Sequence, residues 1–99
     1  MERRVVITGL GVVSPVGTGV EKFWNSLLEG KSGIAPITRF DAADFPVKIA
    51  GEVKDFDPAL AGDKKTIRHM DRNAQFAVAA ARMAVEDAKL DMEKENPDT

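Results

Sequence analysis

The chain has 99 residues, of which 14 are Lys or Arg, 16 are Asp or Glu, one is His and none is Cys, and its net charge is −2. This length leaves room for one small domain at most, and the balanced charge is unlike that of a general nucleic-acid-binding protein. Without Cys and with a single His, the chain cannot form a thiolate nucleophile, an iron–sulfur cluster, a thiolate zinc site or a multi-histidine metal site.

The apolar segments are too short for a signal peptide or a membrane span. The longest apolar run is Phe76–Ala81, whereas a membrane-spanning helix needs about 20 apolar residues. The sequence therefore predicts a soluble, cytoplasmic protein with no membrane partner.

The first predicted element is a strand over Val5–Thr8. Its β-branched residues do not alternate with polar ones, which is typical of a strand that is covered by helices on both faces. Gly9 and Gly11 follow, and Ser14–Gly17 has the composition of a turn.

A helix is predicted next, because Thr18 and Glu21 have the spacing of a capping box and Gly30 is a natural C-cap. Phe23 and Trp24 are interpreted as core anchors of this helix rather than as a platform for stacked bases. The apolar residues with helical spacing are Val20, Phe23, Trp24, Leu27 and Leu28.

Residues 31–46 are predicted to be irregular, since Pro36 and Pro46 interrupt regular structure. A half-exposed strand is predicted at residues 47–53. Its inward positions would be Val47, Ile49, Gly51 and Val53, which alternate with Lys48, Ala50 and Glu52.

Helical segments dominate the rest of the chain. A short helical turn is predicted to begin at Asp57–Pro58, a polar helix is predicted at residues 63–68, and the longest helix is predicted to run from about Asp71 to Ala88. The polar tail at residues 91–99 is predicted to be frayed.

The longest helix is apolar around most of its circumference. Phe76, Ala80 and Met83 lie outside its main stripe, and such a helix is normally buried in a larger protein, although alanines also form exposed helices. The few other elements cannot cover both this helix and the first strand, so the sequence predicts an incomplete α/β domain. The main stripe consists of Ala74, Ala77, Val78, Ala81, Ala84, Val85 and Ala88.

Several separate motifs occur in a characteristic order: Arg3–Gly17, the Phe23–Trp24 pair, Gly30–Ile34, Lys48–Val53 and Met70–Arg72. Together they resemble the amino-terminal part of the β-ketoacyl-[acyl-carrier-protein] synthases, over residues 3 to about 91. Ser14–Pro15 is most similar to the synthase II branch. The resemblance implies that residues 1–99 are the N-terminal part of the first α/β half of a thiolase-like fold, in the order strand–helix–strand–helix and incomplete on its own.

The resemblance also implies a homodimeric acyltransferase of fatty acid biosynthesis. Such enzymes join acyl- and malonyl-acyl carrier protein in a decarboxylating Claisen condensation, using a Cys, two His and a Lys. All four groups lie beyond the matched region, and His69 matches a surface helix. We therefore expect no catalytic residue, no cofactor site and no metal site in this chain, which alone should be inactive.

Lys64, Lys65 and Arg68 match a basic surface segment that, in this family, helps to dock the acidic helix of acyl carrier protein. Lys64 and Arg68 have the spacing of neighbours on one helix face, and clustered cations attract an acidic partner. The alternative interpretation is an ordinary solvated helix face, partly neutralised by Asp63 and Asp71.

Other functional classes are less well supported. Gly9-Leu-Gly11 follows a strand as in a dinucleotide-binding turn, but Ser14 stands where that motif needs Gly or Ala. Combining Ser14, Ser26 or Ser32 with His69 as a catalytic set lacks the Gly-x-Ser-x-Gly elbow. The remaining alternative is a small non-catalytic α/β module that docks an acidic partner.

Overall fold

The structure, a computed structural model, describes residues 3–91 and 93–94. The chain divides into a central unit, Val12–Asp57, and a flanking unit formed by the segments on either side of it. Short strands and a helix make up the central unit, and the flanking unit contains helices and an extended segment. The predicted mixed α/β class is confirmed.

The central unit begins with a two-residue hairpin. Strands β1 (Val13–Ser14) and β2 (Gly17–Thr18) are antiparallel. The Ser14 hydroxyl donates a hydrogen bond of 2.7 Å to the Gly17 carbonyl. The predicted turn at Ser14–Gly17 is therefore confirmed.

Helix α1 (Val20–Glu29) follows directly. Its N-cap is Gly19, with φ of 97° and no side-chain hydrogen bond, so the predicted Thr18 capping box is wrong. Thr18 cannot cap the helix because it is paired with Val13 in β2. Gly30 ends the helix in the left-handed conformation with φ of 73°, as predicted.

Most of the apolar face of α1 is open to solvent in this chain. Trp24 is 57% exposed, so the prediction that it anchors a core is wrong for these residues, whereas Phe23 is half-buried. The buried residue of α1 is Ser26, whose hydroxyl donates to the Val16 carbonyl at 2.7 Å. The core that Trp24 would anchor is not built by the described residues.

A second hairpin pairs β3 (Ile34–Pro36) with β4 (Ile49–Gly51) in antiparallel register. The prediction of irregular structure is wrong at Ile34–Pro36, because both strands of a two-stranded sheet are edge strands, where proline is tolerated. Strand β4 is shorter than predicted. Its faces are also inverted, since Ala50 is half-buried while Ile49 and Gly51 are exposed.

Glu52 ties the end of this hairpin to the loop that follows β3. Its carboxylate accepts hydrogen bonds from the Thr38 hydroxyl at 2.9 Å and from the backbone N–H groups of Thr38 and Arg39, each at 3.1 Å. The bond from the Thr38 hydroxyl is the main cause that holds the pKa of Glu52 below its ordinary value of 4.5.

Replacing Glu52 with glutamine should loosen this loop near neutral pH. Because the pKa of Glu52 is lower in the folded state, its stabilising effect is present above pH 4.5 and is lost as the pH falls through the folded-state pKa. We expect Thr38 and Arg39 amide protection, corrected for intrinsic exchange, to be lower in E52Q than in the unmodified protein at neutral pH and equal in acid. Glu21→Gln, at an exposed position on α1, is the control, and equal protection in all three proteins at neutral pH would contradict the prediction.

The helices of the flanking unit lie close to their predicted positions. A 3₁₀ helix spans Pro58–Leu60, α2 spans Lys64–Ile67 and α3 spans Arg72–Ala88. The Asp71 carboxylate caps α3 by accepting a hydrogen bond of 2.8 Å from the Ala74 N–H. In the described part of the chain, no helix is long and apolar enough to cross a membrane.

Residues Val5–Thr8 are extended, but they are not part of a sheet. The predicted strand is therefore wrong for this chain, because no other segment described in the flanking unit forms a strand with which it could pair. After it, Gly9 and Gly11 approach the backbone of α3 closely, and the Leu10 N–H donates to the Asp87 carboxylate at 2.9 Å.

Among the described residues, few apolar side chains are buried. They are Ala42 and Phe56 in the central unit and Ala61 and Ala79 in the flanking unit. Ala79, which is 0% exposed, lies outside the predicted apolar stripe of α3, whereas the stripe residues Ala77 and Ala81 are exposed. The predicted tail falls mainly on residues 92 and 95–99, which lie outside the described residues.

Candidate docking surface

The candidate site is the basic surface formed by Lys64, Lys65 and Arg68, on and directly after α2. The approach to α2 is anchored by Ala61, which is buried and whose N–H donates to the Pro58 carbonyl at 3.0 Å. The 3₁₀ helix also contacts α2. This short helix is therefore held by the segment before it.

Asp63 sets where α2 begins. Its carboxylate accepts a hydrogen bond of 2.8 Å from the Thr66 N–H, and its carbonyl accepts one of 3.0 Å from the Ile67 N–H. The backbone hydrogen bond from Thr66 is the main cause that lowers the pKa of Asp63 below 3.8. The carboxylate is thus ionised at neutral pH and engaged with the helix backbone.

Lys64 and Arg68 lie one helical turn apart, as the sequence spacing predicts. Arg68 has right-handed helical dihedral angles, and its N–H donates to the Lys64 carbonyl at 3.2 Å. Residues with this spacing are neighbours on one helix face. Lys65 is exposed beside them, and none of the three forms an ion pair with a described residue.

The helical turn becomes narrower after Arg68, with hydrogen bonds that span three residues instead of four. The N–H groups of His69 and Met70 donate to the carbonyls three residues earlier, at 3.2 and 3.0 Å. His69 is exposed, in agreement with its predicted position on a surface helix. Asp71 then caps α3. The carboxylates of Asp63 and Asp71, which were expected to neutralise part of the basic surface, therefore both act as helix caps. They lower the local net charge without pairing with the cations.

Arg72 is a further cation in this region, beyond the three predicted from the sequence. Its guanidinium carbon lies 4.9 Å from the centroid of the Phe76 ring. The spacing of four residues between Arg72 and Phe76 on a predicted helix is the signal that could have identified this contact.

The serines considered as nucleophiles have structural roles. Ser14 and Ser26 donate to backbone carbonyls, and the Ser32 hydroxyl accepts a hydrogen bond of 3.1 Å from the Ile34 N–H. Within residues 3–91 and 93–94, no group of three or more His, Asp or Glu side chains is placed to hold a metal ion.

Comparison with known proteins identifies relatives over nearly the whole chain. Residues 2–99 match the family described as "Beta-ketoacyl synthase, N-terminal domain". A 3-oxoacyl-[acyl-carrier-protein] synthase 2 of Coxiella burnetii is 59% identical over 95 residues, which are 96% of this chain and 23% of that protein. The protein of the same name from a Synechocystis species is 47% identical over 97 residues, 98% of this chain and 23% of that protein.

A solved structure is similar as well. A chain of the ishigamide ketosynthase/chain length factor has a TM-score of 0.84 and 49% sequence identity, and the match covers 94% of this chain and 23% of that one. The chain thus spans about a quarter of the length of the relatives that it matches.

Proposed function

Because the chain belongs to the beta-ketoacyl synthase family through a match of residues 2–99 to its N-terminal domain, we propose that it is the amino-terminal part of a 3-oxoacyl-[acyl-carrier-protein] synthase II. The observation that carries this proposal is the 59% identity to a synthase 2 of which the chain spans 23%. The partial thiolase-like fold agrees with it.

The full-length enzyme condenses an acyl-thioester with malonyl-acyl carrier protein. A cysteine thiolate first accepts the acyl group. Loss of CO₂ from the malonyl group then leaves a carbanion, which attacks the acyl-enzyme carbonyl, forms the new carbon–carbon bond and releases the thiolate. This chain contains no Cys, so the nucleophile comes from the remainder of a cytoplasmic homodimer and the 99 residues alone are inactive.

In this enzyme the basic surface docks the acidic helix of acyl carrier protein. The three cations are exposed and lack ion pairs among the described residues, while Asp63 and Asp71 are engaged as caps. Clustered surface charges of this kind accelerate and orient the encounter with an oppositely charged partner. The alternative of a free-standing module is less well supported, because Val5 is 93% exposed and no large side chain among the described residues is fully buried.

Charge reversal at Lys64 and Arg68 tests the docking role. We expect the full-length double variant K64E/R68E to bind acyl carrier protein about tenfold more weakly at low ionic strength, because two exposed attractions become repulsions. The difference should shrink as salt screens the charges. Adding Lys65→Glu should weaken binding further.

The matched control is K22E/K48E, which makes the same change in net charge at exposed positions of the central unit. We expect it to bind nearly as well as the unmodified enzyme. Equal losses in the two double variants would indicate a general charge effect, and an unchanged affinity in K64E/R68E would also contradict the docking role.

A further inference from the structure

Arg72 is the first residue of α3 and lies close to the basic surface. The chain between Arg68 and Arg72 is wound into a turn, because the N–H groups of His69 and Met70 donate to carbonyls three residues earlier. The Met70 carbonyl accepts a further hydrogen bond of 3.3 Å from the side-chain amide of Gln75, which holds the corner between α2 and α3. Since consecutive Cα atoms are about 3.8 Å apart, four residues span at most about 15 Å, and a turn shortens this distance.

The charges along the chain also group Arg72 with the basic surface. Residues 58–62 and 73–81 are uncharged, so residues 63–72 form a separate charged stretch. With His69 neutral, the net charge of this stretch is +2 with Arg72 and +1 without it. Arg72 therefore doubles the net positive charge with which this region attracts an acidic partner.

Phe76 restricts the orientation of the Arg72 side chain. The guanidinium carbon lies 4.9 Å from the centroid of the Phe76 ring, within the distance of about 6 Å over which a cation and an aromatic face attract each other. Both side chains are half-buried. A guanidinium that is already held on a ring loses less conformational freedom when it binds a partner. Its N–H groups lie in the plane of the group, so its edge can bind a carboxylate while its face stays on the ring.

We propose that Arg72, positioned by Phe76, is a fourth cation that binds the acidic helix of acyl carrier protein. This inference rests on the proposed docking function and adds a specific, oriented contact to it. Lys64, Lys65 and Arg68 are exposed, whereas Arg72 is half-buried beside an aromatic ring. The three exposed cations attract the partner over a distance, and Arg72 fixes its orientation once it has arrived.

The test compares R72Q with R82Q in the full-length enzyme at low ionic strength. Both variants remove one guanidinium charge from α3, but Arg82 is exposed and lies ten residues further on, about 15 Å along the helix. We expect R72Q to bind acyl carrier protein two- to fivefold more weakly, the range for one exposed ion pair, and R82Q to bind like the unmodified enzyme.

The dependence on salt separates a binding role of Arg72 from a structural one. The loss in R72Q should shrink at high ionic strength, because salt screens the lost attraction. R72K should bind with an affinity between those of R72Q and the unmodified enzyme, since lysine restores the charge but not the planar group. Equal affinities of R72Q and R82Q, or a loss in R72Q that persists undiminished at high salt, would overturn the proposal.

Phe76→Leu tests the positioning role, since it leaves every charge in place. We expect F76L to bind about twofold more weakly, and R72Q/F76L to bind no more weakly than R72Q, because the ring acts through Arg72. An unchanged affinity in F76L, or the same loss from F76L with and without R72Q, would overturn the role of Phe76.

The variant K64E/R68E, measured in parallel, distinguishes a failure of this inference from a failure of the docking function. If K64E/R68E binds like the unmodified enzyme, the docking function itself fails. If K64E/R68E loses affinity and R72Q does not, docking stands and Arg72 has no part in it.

Discussion

Replacing Gly11 with alanine should destabilise the full-length protein by about 3 kcal/mol, the upper part of the range for overpacked sites. A Cβ atom at Gly11 would overlap the Ala80 carbonyl oxygen and would lie 2.9 Å from both the Ala80 carbonyl carbon and the Ala84 nitrogen. These are backbone atoms of α3, so they cannot rotate away as a side chain can. Either the extended segment or the helix must move.

The loss of stability is measured as the shift in the midpoint of urea denaturation. Gly9→Ala should show a similar loss, because its Cβ would lie 2.7 Å from the Ala88 nitrogen. Lys48→Ala is the control: Lys48 is exposed and lies outside this segment, and we expect a change within about 0.5 kcal/mol. A G11A midpoint equal to that of K48A would show that the segment does not pack against α3 as closely as the structure indicates.

Features that depend on a few neighbouring residues were predictable from the sequence. The turn at Ser14–Gly17, the Gly30 C-cap and the start of α3 after Asp71 all lie where the local chemistry indicates. In each case a short polar side chain or a glycine satisfies backbone groups within three or four residues. No distant part of the chain has to be known.

Features that depend on distant partners were not predictable. Thr18 is of a residue type that often caps helices, but pairing with Val13 places it in a strand. Pro36 was interpreted as a breaker, although pairing with Ile49 places it in β3. Composition and spacing did not reveal that the glycines at positions 9 and 11 are needed for a close approach to α3.

In the candidate site, too, some features were predictable from the sequence and others were not. The helical spacing of Lys64 and Arg68 was predictable, and the structure places them one turn apart. The engagement of Asp63 and Asp71 as caps required the structure. The two carboxylates do not form ion pairs with the cations, although their charges still lower the local net charge. The docking role itself comes from the family resemblance, because charge and spacing alone also describe a solvated helix face.

The extended segment Val5–Thr8 is much more exposed to solvent than its apolar, β-branched composition predicts. Val5, Val6 and Ile7 are 93%, 67% and 82% exposed, although such a β-branched run is typical of a strand covered on both faces. Ile7 also lines a shallow groove with Val85 and Leu90. Exposed apolar surface of this extent normally marks a site that another segment covers.

Lysine at positions 6 and 7 should therefore destabilise the full-length enzyme but leave the fold of the isolated 99-residue chain unchanged. In the full-length enzyme, V6K/I7K should lower stability by about 4 kcal/mol or more, because two ammonium groups would be buried without partners. In the isolated 99-residue chain, the same substitutions should leave the helical circular dichroism unchanged and should reduce the binding of a dye that reports apolar surface. Asn73→Lys, at an exposed position on α3, is the control in both contexts.

A full-length V6K/I7K enzyme as stable as N73K would mean that residues 5–7 stay exposed in the complete protein. The segment would then be an ordinary solvent-facing extension, and the interpretation of the 99 residues as an incomplete domain would lose its strongest physical support. A large loss confined to the full-length enzyme would instead show that residues beyond this chain supply the missing sheet and cover. A general defect caused by the added lysines would appear in both the full-length enzyme and the isolated chain. A loss of stability confined to the full-length enzyme therefore cannot be explained by such a defect.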